Sequence, residues 1–150
     1  MSEWDQRYMR IVEEVASWSK DTSSKYGAAI IRPSTKTLLA IGYNGIPRGI
    51  QYVEAHHSRP DKYMYWVHAE QNAIFNGARE GVRPEGCAMY VLKPPCSNCA
   101  AAIIQAGITE VVFKEPHSAD SIMDTDSNWR LTIQAATEML SEAGVRLRRM

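Results

Sequence analysis

Two short motifs constrain this chain more than any other feature, because both carry side chains that bind transition metals. The first motif is His68-Ala69-Glu70, and the second is Pro95-Cys96-Ser97-Asn98-Cys99. Between His68 and Cys96 lie 27 residues, enough for a helix, a strand and their connections. Each motif stands where a predicted helix begins, so a fold that uses both must bring two helix starts together.

A pair of helix starts is a good place for zinc. Helix N-termini carry unpaired N–H groups and a partial positive charge, which favour the thiolate form that zinc needs. Cys96 and Cys99, three residues apart on one turn, can reach the same ion, and His68 supplies a third ligand. Three protein ligands leave the fourth tetrahedral position open to water, as in catalytic zinc sites. Glu70 is expected beside that water, off the metal.

Two other functions of the cysteine pair fit the sequence less well. A redox pair needs no accompanying His-x-Glu, and a structural zinc site would need a fourth ligand at close spacing. The chain has three cysteines, which also argues against a disulfide framework. The spare candidates lack suitable spacing with the pair; they are Cys87, His56, His57 and His117.

The motif pair predicts a reaction class. Replacing the amine of a cytosine ring requires hydroxide to attack C4, a proton to reach N3, and another proton to reach the departing ammonia. One carboxylate facing the water, here Glu70, can move all of these protons. The pattern H-x-E…P-C-x-x-C is the signature of zinc deaminases. We therefore expect a zinc-bound water as nucleophile and Glu70 as the proton shuttle.

The size and charge of the chain limit the classes of partner that it is expected to bind. The 150 residues suit a single domain, 1–150, and the 17 basic and 17 acidic side chains balance. This balance argues against binding of nucleic acid through the overall field. The chain shows neither an apolar stretch of membrane-spanning length nor a signal peptide at its start, so we expect no membrane partner and a cytoplasmic location.

Hydrophobic periodicity and turn residues predict an α/β domain with one mixed sheet. Trp4, Tyr8, Ile11, Val15 and Trp18 form the apolar stripe of a first helix. Residues 42–49 are a glycine- and proline-rich loop, and 50–62 have no regular period. The other predicted elements are a hairpin of strands 28–31 and 38–41, helices 67–79, 97–106 and 128–143, and strands 88–92, 110–113 and 145–148.

Over about residues 4–148 the sequence resembles the deoxycytidylate (dCMP) deaminases of the cytidine deaminase-like superfamily. The zinc motifs are common to the superfamily, and two earlier stretches narrow the resemblance. They are Ser19-Lys20-Asp21 with Gly27-Ala28, and Gly42-Tyr43-Asn44-Gly45 with Pro47 and Gly49. The resemblance implies a three-layer α/β/α sandwich around a five-stranded sheet. It also implies hydrolysis of dCMP to dUMP and ammonia, which supplies dUMP for thymidylate synthesis.

The resemblance also implies substrate-binding residues. Asn44 looks like the asparagine that holds the sugar hydroxyl, although an Asn before Gly45 also suits a turn. Tyr65 or Trp66 is expected to stack on the base, with core packing as the alternative. The residues expected to contact the 5′-phosphate are Ser19, Lys20, Asp21 and Ser23, and the alternative for them is a solvated turn. The rest of the nucleotide is expected to contact Ala69 and Pro95.

Regulation and assembly are implied in the same way. Related enzymes include members activated by dCTP and inhibited by dTTP, and many are hexamers. The loop at 42–49 resembles the regulatory region but also serves the substrate; the expected regulatory residues are Asn44, Gly45, Pro47 and Gly49. We expect one catalytic zinc per subunit. No cysteine stands beside His56 or His57, so a second zinc is not expected.

Other functions stay open from sequence. A related deaminase could act on dCTP, alone or with dCMP, on free cytidine, or on a base in tRNA. The even charge balance favours a small phosphorylated substrate over tRNA. A non-catalytic zinc module is the alternative from another class, and Glu70 argues against it because a scaffold needs no carboxylate beside an open metal position.

Overall fold

Helices and strands alternate along the chain in the predicted order. The computed structural model describes residues 2–51, 53–58, 60–115 and 127–150, so His117 lies outside the described residues. The elements are α1 (Glu3–Ser17), β1 (Gly27–Arg32), β2 (Thr37–Tyr43), a short 3-10 helix (Glu54–His57), α2 (Lys62–Tyr65), α3 (Ala69–Arg79), β3 (Ala88–Val91), α4 (Ser97–Gln105), β4 (Glu110–Phe113), α5 (Ser127–Glu142) and β5 (Arg146–Arg149).

Most predicted bounds are within one or two residues of the observed ones. The helix predicted from 67 begins at Ala69, because Val67 pairs with Gly45 as an isolated bridge. The stretch 50–62, predicted to be irregular, contains the 3-10 helix and the first residue of α2. Among the described residues, none of the helices combines the length and apolar character needed to cross a membrane.

The five strands form one mixed sheet in the order β2-β1-β3-β4-β5. β1 is antiparallel to both β2 and β3, while β3, β4 and β5 are parallel to one another. A tight connection after β1 returns the chain as an antiparallel neighbour, whereas the crossover through α4 makes β4 parallel to β3. The expected mixed five-stranded sheet is confirmed.

Helices cover both faces of the sheet. Because side chains alternate along a strand, Ile30 faces α3, α4 and α5, while Ile31 faces α1. The first face is filled from the helices by Ala73, Ala100, Ile103, Ala136 and Leu140, and the second by Tyr8, Met9 and Val12. The three-layer α/β/α architecture is confirmed.

The predicted apolar stripe of α1 is wrong at both ends. Trp4 is 36% exposed and Trp18 is 49% exposed. The stripe that packs on the sheet is rotated towards the adjacent positions. Its buried apolar members are Tyr8, Met9, Val12, Val15 and Ala16.

One glycine permits the close packing that places the site. A Cβ atom at Gly42 would lie 2.2 Å from the backbone nitrogen of Ala73, so β2 can approach α3 this closely only without a side chain. The resulting contact holds α3 flat against the β1–β2 hairpin. It thereby sets the position of the N-terminus of α3, where His68 lies.

A buried ionic cluster fastens the start of α1 to the far edge of the sheet. Asp5 is 5% exposed and accepts hydrogen bonds from Tyr90 Oη at 2.7 Å and Arg148 Nη2 at 2.8 Å. Arg148 Nε also donates to Glu110 at 2.8 Å. Burial alone raises the pKa of Asp5, but the hydrogen bonds from Arg148, Ser2 and Tyr90 outweigh it and hold that pKa well below its usual value.

We expect Asp5→Asn to lower the free energy of unfolding by about 2–3 kcal/mol at pH 7, because Arg148 then loses a charged partner. The folded-state pKa of Asp5 is depressed, so its contribution is complete above the unfolded pKa near 3.9 and is lost as pH falls below it. Urea unfolding at pH 7 and pH 3 should therefore show the gap between wild type and variant narrowing in acid.

The control for Asp5 is Glu3→Gln, which removes an exposed carboxylate paired with Arg7 on the same helix. That change is expected to alter the free energy of unfolding by no more than about 0.5 kcal/mol. Equal stability of Asp5→Asn and wild type at pH 7 would show that the cluster does not stabilise the fold.

Candidate active site

Both metal-binding motifs stand at helix starts, as predicted. His68 and Cys96 are the N-cap residues of α3 and α4, with extended backbones at φ −71°, ψ 157° and φ −75°, ψ 172°. Cys99 is the third residue of α4, so its side chain lies on the same side of the first turn as that of Cys96. The two helices share one face of the sheet, and this places their N-termini side by side.

The three expected ligands converge on one point. His68 Nδ1 lies 3.4 Å from Sγ of Cys96 and 3.4 Å from Sγ of Cys99, and the three ligand atoms lie within 4.8 Å of one another. Zinc ligand distances of about 2.1–2.3 Å place tetrahedral donors about 3–4 Å apart. The donor set therefore fits one zinc ion. It is the one cluster of three or more such side chains among the described residues.

Hydrogen bonds inside the cluster separate the pKa values of its members. The bond from the Cys99 thiol lowers the pKa of Cys96 most; burial opposes it, and His68 lowers it further, to about 4. The bond with Cys96 raises the pKa of Cys99 far above its usual value and raises the pKa of His68 to about 9. Negative charge thus concentrates on the Cys96 sulfur, and a metal ion competes with protons for these ligands.

Glu70 is the second residue of α3 and is 9% exposed. Burial raises the pKa of its carboxyl group; the charge of His68 opposes this rise and that of Cys96 adds to it. A raised pKa favours the protonated form of a carboxyl group and makes it a better proton acceptor than an exposed one. The location fits a proton shuttle, and that role stays a prediction.

Ser19, Asp21 and Asn44, which the resemblance assigns to the substrate, form one buried hydrogen-bonded cluster. The Asn44 amide donates to Asp21 Oδ2 at 3.1 Å and to the Ser24 carbonyl at 2.9 Å, and its Oδ1 accepts from the Tyr26 N–H at 2.8 Å. Ser19 Oγ donates to the Asn44 carbonyl at 2.8 Å. Both side-chain amide hydrogens of Asn44 are thus bound within the protein, so a sugar contact in this arrangement would use the second lone pair of Oδ1.

Lys62 is a member of this region that sequence analysis missed. Its Nζ lies 2.5 Å from Asp21 Oδ2 and 2.8 Å from Ser23 Oγ. Burial raises the pKa of Asp21, but hydrogen bonds from Lys62, Ser23 and Ser24 lower it below its usual value. Asp21 is therefore a carboxylate neutralised by Lys62. The sequence carries no signal for this pair, because Lys62 follows a stretch without a regular period.

The other predicted nucleotide contacts differ in their exposure and in their contacts within the protein. Lys20 is exposed. Tyr65 is 40% exposed and stacks on His56, with ring centroids 3.8 Å apart. Trp66 is half-buried and donates its indole N–H to the His56 carbonyl at 2.8 Å. Stacking of the base on either ring stays a prediction.

The loop at 42–49 is joined directly to the ligand segment. Gly45 and Val67 exchange two backbone hydrogen bonds, of 3.1 and 2.9 Å, one residue before His68. Pro47 and Gly49 are exposed, and Gly49 has φ +84°. Ala69 and Pro95, each next to a ligand in sequence, are buried. The predicted regulatory loop is thus mechanically connected to the segment that carries His68.

Comparison with known proteins points to one family. The family model "Cytidine and deoxycytidylate deaminase zinc-binding region" matches residues 2–115. The chain is 39% identical over 145 residues to an uncharacterized deaminase of Aliivibrio fischeri, covering 97% of this chain and 92% of that protein. It is 38% identical over 153 residues to human deoxycytidylate deaminase, covering 98% of this chain and 79% of the human protein.

Solved structures agree on the fold. The dCMP deaminase of cyanophage S-TIM5, crystallised with dCMP and dUMP, is similar with a TM-score of 0.77 and 25% identity over 100% of this chain and 98% of the phage chain. A guanine deaminase of Nitrosomonas europaea is similar with a TM-score of 0.63 and 15% identity, covering 99% of this chain and 78% of that one. The fold alone therefore does not select the base.

Proposed function

Because the chain belongs to the family of the cytidine and deoxycytidylate deaminase zinc-binding region, we propose that it is a dCMP deaminase that converts dCMP and water into dUMP and ammonia. The observation that carries this proposal is the convergence of His68, Cys96 and Cys99 beside the buried carboxyl group of Glu70. The choice of dCMP is supported by the similarity to human deoxycytidylate deaminase along nearly the whole chain. The product dUMP would feed thymidylate synthesis.

His68, Cys96 and Cys99 would hold the zinc ion from two helix starts. Zinc held there would act as a Lewis acid that activates a water molecule for attack. Glu70 takes a proton from the attacking water as its oxygen bonds to C4, and delivers that proton to N3. It then moves the second proton to the exocyclic amine as the C4–N bond breaks and ammonia leaves.

We place the sugar and phosphate along the loop before β1. The buried hydrogen bonds of Ser19, Asp21 and Asn44 give this loop a defined shape, and Lys62 ties it to α2. Because α2 leads through Trp66 to His68, the ion pair of Lys62 with Asp21 links the loop to the segment that carries a metal ligand. The proposed substrate contacts are Ser19, Lys20, Asp21, Ser23, Asn44, Tyr65, Trp66, Ala69 and Pro95.

We also propose a cytoplasmic homohexamer that dCTP activates and dTTP inhibits. Exposed apolar side chains offer surface for subunit contacts, with Met64 73% and Phe75 52% exposed. The hydrogen bonds between Gly45 and Val67 offer a route from the loop at 42–49 to the ligands. Light scattering of the purified protein, and dCMP saturation curves with each triphosphate, test both parts.

The substrate is tested by measuring ammonia release from dCMP, cytidine, dCTP and single-stranded DNA with the zinc-loaded protein. We expect kcat/KM for dCMP to exceed that for cytidine by at least about tenfold, because one charge-assisted contact with phosphate is worth that much. A higher kcat/KM for dCTP or cytidine than for dCMP would contradict dCMP as the substrate. A protein that binds one zinc yet releases no ammonia from any of the four would be a zinc module without this activity.

A further inference from the structure

A cleft of about 360 Å³ lies at the sheet edge where β3 and β4 end and β1 begins. The loop before β1 forms one wall, and the residues after β3 and β4 form the other. The side chains that line it are Glu13, Ser23, Ser24, Lys25, Tyr26, Leu92, Lys93, Lys114 and Glu115. Three of these are lysines, two are glutamates and two are serines, so the lining has a net positive charge and hydroxyl donors, which suit an anion with several acceptor oxygens.

The three lysines differ in their partners. Lys114 forms an ion pair of 2.6 Å with Glu13, and Lys25 donates to the Ser17 carbonyl at 3.2 Å. Lys93 is half-buried but forms no ion pair with any residue that the structure describes. A half-buried ammonium group is least costly when an anion is bound beside it. Among the residues that the structure describes, Lys93 is therefore the cleft lysine that can accept an anionic ligand without giving up an ion pair or a side-chain hydrogen bond.

The loop before β1 has two chemically different sides. Its inner side carries Asp21, a buried carboxylate held by Ser23, Asn44 and Lys62. A phosphate placed there would have to displace Asp21 from Lys62 and Ser23. The outer side presents Ser24 to the cleft that Lys93 also lines, so an anion bound there leaves the buried cluster intact.

The cleft lies within one nucleotide's length of the metal ligands. Lys93 precedes Cys96 by three residues, which span at most about 11 Å. Tyr26 lines the cleft. Burial raises the pKa of its hydroxyl group most, and the negative charges of Glu70 and Asp21 raise it further. Tyr26 therefore lies near both the cleft and Glu70. A base at the metal ligands and a phosphate in the cleft are compatible with one bound nucleotide.

We propose that this cleft binds the 5′-phosphate of the substrate, and that Lys93 is the residue that selects a phosphorylated nucleotide. Lys93 Nζ donates a charge-assisted hydrogen bond to a phosphate oxygen, and the Ser24 hydroxyl donates a second. This inference rests on the proposed function. It differs from the expectation for residues 19–23, because it places the phosphate against Ser24 and Lys93 instead of against Lys20 and Asp21.

The test is Lys93→Met in the zinc-loaded protein, with calorimetric binding of dUMP and deoxyuridine and steady-state kinetics on dCMP. We expect dUMP binding to weaken and KM for dCMP to rise by about 10- to 100-fold, because one charged hydrogen bond is lost. Deoxyuridine binding and kcat should change by less than about threefold. Lys93→Arg should restore most of the dUMP affinity, and Lys36→Met, at an exposed turn, is the matched control.

Two results would overturn the proposal. One is wild-type affinity of Lys93→Met for dUMP, and the other is an equal loss for dUMP and deoxyuridine, which would mean a structural role. Weakened dUMP binding in Lys20→Met together with an unchanged Lys93→Met would return the phosphate to the predicted loop. Because these readouts measure binding, they stand apart from deamination: a wild type that releases no ammonia from dCMP yet loses dUMP affinity in Lys93→Met contradicts only the proposed function.

Discussion

Glu70→Gln is expected to lower kcat for dCMP by about 10⁴-fold while the protein keeps one zinc per chain. Glutamine has the size of glutamate and can still donate and accept hydrogen bonds, but it cannot take a proton from water. General acid–base groups contribute about 10²–10⁴-fold, and we expect the upper end because one carboxyl group serves every proton transfer. Ammonia release and metal analysis on the same preparation measure both quantities.

The structure also predicts what Glu70→Gln leaves unchanged. Burial raises the pKa of Glu70, so the folded protein gains little from its charge, and a neutral amide of equal size should not lower the melting temperature. Glu80→Gln, an exposed change at the other end of α3, is the control and should keep kcat within about twofold. Retention of more than a tenth of wild-type kcat by Glu70→Gln would exclude this carboxyl group as the proton shuttle.

Cys99→Ala is expected to lose zinc and stability together. Cys99 supplies one of the three ligand atoms that converge from the starts of α3 and α4, so the two remaining ligands cannot hold an ion tightly. A metal that binds the folded state and not the unfolded state raises the free energy of unfolding. We expect less than about a tenth of stoichiometric zinc after dialysis, and a loss of about 3 kcal/mol, which lowers Tm by roughly 6–12 °C. Cys96→Ala should behave in the same way.

Cys87→Ala is the matched control, since Cys87 is equally buried but lies outside the ligand cluster. Removal of its sulfur leaves a small cavity near β3, and we expect a cost of no more than about 1.5 kcal/mol with full zinc content. The comparison separates loss of metal from loss of packing. Stoichiometric zinc in Cys99→Ala would refute the ligand set, and loss of zinc in Cys87→Ala would show that burial alone controls metal binding.

The convergence of His68, Cys96 and Cys99 and the order of the elements could be predicted because their signals are local. A cysteine pair three residues apart and a His-x-Glu carry their spacing with them, and helix starts follow from neighbouring residues. Apolar periodicity likewise predicted the alternation of helices and strands. The orientation of α1 could not be predicted as well: its stripe contained Trp4 and Trp18, but which turns touch the sheet depends on where the sheet lies.

Substrate residues were predicted by resemblance, and in the structure several of them have hydrogen-bond partners within the protein. Asn44 was expected to meet the sugar, yet its amide hydrogens are bound to Asp21 and Ser24. Sequence alone cannot show these hydrogen bonds, because an asparagine in a loop can bind either a ligand or the backbone and side chains of its own chain. The neutralising ion pair of Asp21 with Lys62 joins residues from segments without any regular period.

The zinc motifs at positions 68–70 and 95–99 were therefore enough to predict the chemistry, since each places its donors within one turn of backbone. The surroundings of that chemistry depend on contacts between distant segments. The loop before β1 meets the ends of β3 and β4 only when the sheet has formed, and this meeting creates the cleft that contains Lys93. Asp5 finds Arg148 in the same way, 143 residues further along the chain. Such pairings follow from the packing of whole elements, which no local pattern encodes.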